Sequence, residues 1–116
     1  MQDVEILHNP RCSKSRATLA LLEERGIEPH IIDYLAEPPD ASELARISDL
    51  LGGDPRAMMR RDEPEYADLG LDDPALDRES LLAALAAHPR LIQRPIVLAN
   101  GRAAIGRPPE AVLDIL

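Results

Sequence analysis

The apolar positions of this chain fall into short runs near its two ends and into a helix-like spacing between them. Residues 4–7 predict a short strand, an Ala/Leu-rich segment follows a polar loop, and residues 30–34, rich in Ile and Tyr, predict a second strand. Gly26 ends the Ala/Leu-rich segment, as is typical of a left-handed residue after a helix. A strand, a helix and a strand within about thirty residues predict two parallel strands joined by a right-handed crossover.

The Ala/Leu-rich segment also carries signals for the start and the buried face of its helix. Ser13 or Ser15 is the expected N-cap, because a serine hydroxyl accepts a hydrogen bond from a free backbone N–H of the first turn. The residues expected on the buried face are Leu19, Leu22 and either Ala20 or Leu21.

The middle of the chain, from about residue 40 to about residue 90, has a helical pattern. Asp40 or Ser42 begins a helix that ends at Gly52-Gly53. Asp54 caps a short second helix, and Asp77 begins a third. The residues expected to face inward from the second and third helices are Met58, Met59, Leu81, Leu82 and Leu85.

Strand patterns return near the end of the chain. Residues 95–98 and 102–105 flank Asn100-Gly101, a strong signal for a two-residue hairpin, and Pro108-Pro109-Glu110 opens a last helix. The predicted order is βαβ, a helical insert, and ββα. This order resembles an α/β, thioredoxin-like arrangement: a four-stranded mixed sheet with an inserted helical segment at about residues 40–90. The length of 116 residues predicts a single domain, 1–116.

The composition is that of an ordinary globular domain, with 45% hydrophobic and 29% charged residues. A formal net charge of −8 argues against nucleic acid and anionic membranes as partners. No apolar stretch approaches the ~20 residues that a membrane-spanning helix needs, and we expect no signal peptide. One cysteine forms no internal disulfide, and the histidines match no zinc-site spacing. We therefore expect a cytoplasmic protein without a metal.

The single cysteine, Cys12, lies between a predicted strand and a predicted helix. A lone cysteine is most often a small buried apolar residue, but Cys12 has polar or charged neighbours on both sides. Free backbone N–H groups and the helix dipole favour a thiolate there, and Arg11, Lys14 and Arg16 add positive charge. Such surroundings lower a cysteine pKa to roughly 3.5–7.5. The same groups would also hold an oxyanion against the sulfur. We therefore predict that Cys12 is a reactive thiolate.

Short motifs in a fixed order extend over essentially the whole chain. They are His8-Asn9-Pro10-x-Cys12, Tyr34-Leu35-x-x-Pro38-Pro39, Arg56-Ala57-x-x-Arg60, Leu69-Gly70-Leu71, His88-Pro89, Arg94-Pro95-Ile96-Val97, Arg107-Pro108 and Leu113-Asp114-Ile115-Leu116. Each motif alone is a weak signal, but together they resemble the glutaredoxin-coupled arsenate reductases. The resemblance implies a thioredoxin-like fold with a helical insert, a nucleophilic cysteine and arginines that bind arsenate.

The resemblance also implies roles for individual residues. Cys12 matches the nucleophile, His8 matches a histidine that assists the thiolate, and Ser15 matches a residue whose hydroxyl lies near it. The arginines that match the arsenate ligands are Arg60, Arg94 and Arg107. A cis-proline at Arg94-Pro95 is implied as well. The structural alternatives are a solvated helix face for Arg60, a loop end for Arg94, a helix-end charge for Arg107 and a carbonyl partner for His8.

The implied reaction reduces arsenate to arsenite with no bound cofactor. The Cys12 thiolate attacks arsenate, glutathione acts as co-substrate, and glutaredoxin removes the mixed disulfide that remains. Two alternatives stay open: a general glutathione-dependent thiol reductase of the same fold, and an Spx-type transcription regulator that binds RNA polymerase. Spx-type oxidant sensors use a Cys-x-x-Cys pair, whose second position here is Ser15. A low-molecular-weight tyrosine phosphatase is excluded, because its Cys-x5-Arg loop would need arginine at Thr18.

Overall fold

The computed structural model describes residues 4–116, which divide into two compact units. The first unit contains the described residues up to Glu37 together with Arg94–Leu116, and the second unit is Pro38–Gln93. Within residues 4–116, no helix combines the length and the apolar character needed to cross a membrane.

The first unit is built on a four-stranded mixed sheet. Its strands are β1 (Glu5–His8), β2 (His30–Asp33), β3 (Ile96–Ala99) and β4 (Arg102–Ile105), and their order across the sheet is β2-β1-β3-β4. Strand β1 is parallel to β2 and antiparallel to β3, and β3 is antiparallel to β4. The predicted sheet and the predicted parallel pair are confirmed.

The two inner strands and the outer strand β2 differ in burial. All four residues of β3 are buried, whereas Ile31 in β2 is 48% exposed. An inner strand is covered on both faces and along both edges, which accounts for the nearly continuous apolar sequence of β3. A core cluster of this unit consists of Val4, Ile6, Leu22, Val97, Ala99, Val112 and Ile115.

The first helix, α1 (Ser13–Glu24), corrects the predicted N-cap and extends the predicted buried face. Its N-cap is Cys12, and Ser13 and Ser15 both lie inside the helix. Leu22 is buried as predicted, and Leu19 and Leu21 are partly buried and pack against the core, but Ser15 and Thr18 are buried as well. The buried face therefore includes two small hydroxyl side chains, which a search for large apolar residues does not select. Gly26 has a φ of 74°, which confirms the left-handed residue predicted after this helix.

The hairpin between β3 and β4 is confirmed and is tied to the C-terminal segment. Asn100 and Gly101 have φ values of 55° and 70°, as a tight two-residue hairpin turn requires. The Asn100 side-chain amide donates a hydrogen bond to the carbonyl oxygen of Ile115 over 2.8 Å. The last helix begins at Pro109, but Pro109–Ile115 is a 3-10 helix.

The second unit is helical, as predicted. Its elements are α2 (Ala41–Leu50), a 3-10 helix (Pro55–Met58), α3 (Pro64–Asp68), α4 (Arg78–Ala87) and a 3-10 helix (Pro89–Leu91). Asp40, Asp54 and Asp77 each accept a hydrogen bond from a backbone N–H of the first turn, which confirms them as N-caps. Helix α3 is absent from the prediction, because five residues are too few to establish a helical period.

Candidate active site

The loop between β1 and α1 places Cys12 at the N-terminus of a helix, as the sequence predicted. The Cys12 N–H donates to the carbonyl oxygen of Asn9 over 3.0 Å, which closes a tight turn. The Cys12 carbonyl oxygen in turn accepts the first helical hydrogen bond, from the N–H of Arg16, over 3.0 Å. Cys12 as a whole is partly exposed.

The pKa of the Cys12 thiol lies below its ordinary value. Burial raises this pKa, but the N–H of Ser15, the charge of Arg94, the N–H of Lys14 and the charge of Arg107 outweigh it. The sulfur makes no well-aligned capping hydrogen bond, so we attribute the effect of the two amides to the dipoles of the helix terminus. A thiolate is the form of cysteine that attacks an electrophile.

The charged side chain of Arg107 contacts the sulfur of Cys12. Its Nη2 atom lies 3.7 Å from Sγ of Cys12, and its Nε donates to the carbonyl oxygen of Arg94 over 2.9 Å. The guanidinium group is thus fixed between a neutral acceptor and the thiol. The peptide bonds Arg94-Pro95 and Arg107-Pro108 are both cis, and the first of these was implied by the resemblance.

Gly106 allows the segment that carries Arg107 to approach α1. Its N–H donates to the carbonyl oxygen of Pro95 over 2.9 Å. A Cβ atom at this position would lie 2.5 Å from Oγ1 of Thr18 and 2.7 Å from Cγ of Pro95, which is too close for either contact. The sequence analysis missed Gly106. The signal that could have found it is a glycine between a strand and an arginine assigned to the site.

His8 and Ser15 form a buried pair beneath the loop. Nδ1 of His8 lies 2.7 Å from Oγ of Ser15, and the same oxygen accepts a hydrogen bond from the N–H of Asn9 over 3.0 Å. Burial lowers the pKa of His8; Asp33 raises it and Arg16 lowers it further, with a net lowering. At neutral pH the imidazole is therefore mainly uncharged. The imidazole contacts Ser15, and the lowering of the Cys12 pKa comes from the Lys14 and Ser15 amides and the two arginines.

Arg60 lies in the second unit and is not a solvated helix-face charge. Its side chain is 17% exposed, and its Nη1 pairs with Oε1 of Glu63 over 2.6 Å. Its N–H donates to the carbonyl oxygen of Leu91 over 2.7 Å, so the backbone is held as well. The neighbouring Arg61 is exposed. The role of Arg60 as an arsenate ligand stays a prediction.

Comparison with known proteins identifies the family. A family model described as "ArsC family" matches residues 7–115. The chain belongs to the ArsC family. It is 56% identical over 117 residues to an arsenate reductase of Neisseria meningitidis, with all of both chains covered. It is 50% identical to the uncharacterized protein YfgD of Escherichia coli, covering 99% of this chain and 98% of YfgD.

A solved structure agrees with this assignment. The structure of an arsenate reductase from Vibrio cholerae matches with a TM-score of 0.96 and 54% identity, covering 99% of this chain and 98% of that one. The fold is therefore the thioredoxin-like fold of the ArsC family. Within it, the first unit of this ArsC-family chain brings Cys12, Arg94 and Arg107 together. A thiolate and an oxyanion repel each other, and guanidinium groups offset this repulsion. A thiol with a lowered pKa next to two arginines is therefore suited to nucleophilic attack on an oxyanion.

Proposed function

We propose that this protein is an arsenate reductase that uses Cys12 as its nucleophile, glutathione as co-substrate and glutaredoxin as the protein that regenerates the thiol. The observation that carries the proposal is the 3.7 Å contact between Nη2 of Arg107 and Sγ of Cys12, in a chain 56% identical to an arsenate reductase. The reaction belongs in the cytoplasm, where thiols are kept reduced.

The first step is attack of the Cys12 thiolate on the arsenic atom of arsenate. An S–As bond forms, and one oxygen of arsenate leaves as water after protonation. Arg107 and Arg94 offset the negative charge that would keep the thiolate and the oxyanion apart. Arginine suits this role because its planar group donates two hydrogen bonds to one oxyanion.

The second step transfers two electrons to arsenic. A glutathione thiolate attacks the sulfur of Cys12, an S–S bond forms, and the S–As bond breaks with its electron pair remaining on arsenic. Arsenic leaves as arsenite, and Cys12 is left as a mixed disulfide with glutathione. A glutaredoxin thiolate then attacks the glutathione sulfur and releases the Cys12 thiolate, a step that the low pKa of this leaving group favours.

Arg60 enters the proposal on the strength of the family resemblance, as a further ligand of the oxyanion. His8 and Ser15 support the loop that carries Cys12 through their mutual hydrogen bond and the bond to the N–H of Asn9. Holding this loop fixes the direction of the Lys14 and Ser15 amides, which act on the thiol.

The decisive experiment is a coupled assay that follows NADPH consumption with arsenate, glutathione, glutaredoxin and glutathione reductase. We expect turnover that requires each component in turn and disappears in Cys12→Ser. Replacing arsenate with a glutathione mixed disulfide tests the general thiol-reductase alternative, provided that glutaredoxin, which itself reduces such disulfides, is left out and the rate is compared with that of the mixture lacking this protein. Activity with the mixed disulfide and none with arsenate would overturn the proposal in favour of that alternative.

A further inference from the structure

Glu63 is a buried carboxylate that lies between two arginines of the second unit. Its side chain is 9% exposed. Oε1 lies 2.6 Å from Nη1 of Arg60, and Oε2 lies 3.9 Å from Nη2 of Arg90. An acidic side chain is seldom buried without a charged partner, so this pairing accounts for the burial. The two contacts are unequal: the bond to Arg60 is short, and the approach of Arg90 is at the limit of an ion pair.

The guanidinium group of Arg60 depends on Glu63 for its position. Nε of Arg60 is buried and has no hydrogen-bond partner among residues 4–116. Its backbone is held by the bond from its N–H to Leu91, but that bond does not orient the end of the side chain. Arg90, in contrast, has a side chain that is 69% exposed, so solvent weakens its longer contact with Glu63. Glu63 is thus the polar contact that selects one orientation of Arg60.

We propose that Glu63 is the positioning residue for Arg60, and the proposal rests on the proposed function, in which Arg60 binds the oxyanion. Glu63 holds the guanidinium through Nη1 and leaves the Nη2 amino group to donate to an oxyanion oxygen. A side chain that is already ordered loses less conformational entropy when the anion binds. The carboxylate offsets one of the two guanidinium charges, and an excess of one positive charge remains for the anion.

The test measures arsenate binding and turnover separately. Isothermal titration calorimetry with arsenate, in Cys12→Ser protein to prevent the reaction, gives a Kd for E63A, E63Q, R60A and the R60A/E63A pair. The matched control is R90A, which removes the weaker and more exposed contact of the same carboxylate. Thermal unfolding without arsenate checks that each variant folds, and E63D replaces E63A if E63A does not.

We expect E63A or E63D to weaken arsenate binding by about ten- to a hundredfold, the scale of a lost hydrogen bond to a charged group. E63Q keeps an acceptor in place and should lose less than E63A. R90A should stay within about twofold, as exposed ion pairs usually do. In the R60A background, E63A should add less than about twofold, because the residue that it positions is already absent.

Three results would overturn the inference: normal binding in E63A and E63D, equal losses in E63Q and E63A, or a full additional loss in the R60A background. These failures are distinct from failure of the proposed function. If R60A binds arsenate normally, or if the unmodified protein does not reduce arsenate in the coupled assay, the assigned ligand or reaction is at fault. If R60A is impaired and E63A is not, only the role of Glu63 is wrong.

Discussion

Two arginines assigned to one kind of ligand, Arg107 and Arg60, are held in contrasting ways. Arg107 is exposed and bonds through Nε to a backbone carbonyl, with Nη2 directed at the Cys12 sulfur. Arg60 is largely buried and pairs with the carboxylate of Glu63. A carbonyl fixes a guanidinium group and leaves its full positive charge, whereas a carboxylate fixes it and offsets that charge.

The contrast indicates different tasks for the two side chains. Arg107 forms no ion pair with an acid among residues 4–116, so its full charge can act on the thiol, and Arg107 is among the groups that lower the Cys12 pKa. Arg60 contributes donors in a fixed direction, which suits binding of the substrate more than activation of the nucleophile. The two surroundings therefore predict that the two arginines affect different measured quantities.

The largest expected effect comes from removing the sulfur. Cys12→Ser should lower arsenate reduction to background, at least about a thousandfold, because a serine hydroxyl is far less nucleophilic than a thiolate. The coupled assay measures turnover, and thermal unfolding should show an unchanged fold. Arsenate binding should persist in this variant, so that the two arginines can be compared without chemistry. Turnover near the level of the unmodified protein would rule out Cys12 as the nucleophile.

The next effect separates the two arginines. Arg107→Ala should lower kcat, and Arg60→Ala should mainly raise the arsenate KM, each by about ten- to a thousandfold, the scale of one lost charge-stabilising donor. Lysine at either position should also impair the reaction, because an ammonium group lacks the planar pair of donors. The exposed control Arg61→Ala should change both constants by less than about twofold. Identical kcat and KM profiles for Arg107→Ala and Arg60→Ala would remove the distinction.

A third effect concerns pH and tests whether Arg107 lowers the pKa of the Cys12 thiol. Because the Cys12 pKa is lowered, the thiolate persists below the ordinary titration range of about pH 8.5 and is protonated as the pH falls through the lowered pKa. The rate of alkylation by iodoacetamide should fall as the pH falls, with its inflection at the lowered pKa. Arg107→Ala should move the inflection to higher pH, since it removes a charge that favours the thiolate. We expect a smaller movement for His8→Gln, because the imidazole contacts Ser15 and is mainly uncharged. An inflection at the ordinary value in the unmodified protein would contradict the lowered pKa.

The smallest effect is structural. Gly106→Ala should reduce the free energy of unfolding by about 1–3 kcal/mol, because its Cβ would overlap Thr18 and Pro95. It should also lower kcat, since Arg107 is the next residue. The control Gly26→Ala places a Cβ in open space and strains only a left-handed φ, so it should lower Tm without a change in kcat. If both variants alter Tm alone, the close approach at Gly106 does not position Arg107.

Local signals in the sequence were enough to predict most of the fold. The acidic N-caps Asp40, Asp54 and Asp77, the Asn100-Gly101 turn and the left-handed Gly26 are all confirmed, because each acts on backbone groups a few residues away. The same kind of signal placed Cys12 at a helix N-terminus.

The predicted N-cap of α1 was wrong. The hydroxyl of Ser15 accepts from the N–H of Asn9 and contacts His8, and no local rule predicts that choice of partners.

The sequence by itself determined most of the order of the elements, the family and the position of Cys12 at a helix N-terminus. The tertiary structure decided which charges act on the Cys12 thiol. Arg107 reaches Cys12 across 95 residues of chain, and the approach depends on the absence of a side chain at Gly106. The burial of Arg60 and its pairing with Glu63 could not be predicted from the sequence either, since charged side chains are usually exposed to solvent. Contacts of this kind depend on how segments distant in the chain pack together, and hydrophobic periodicity records only that a face is buried.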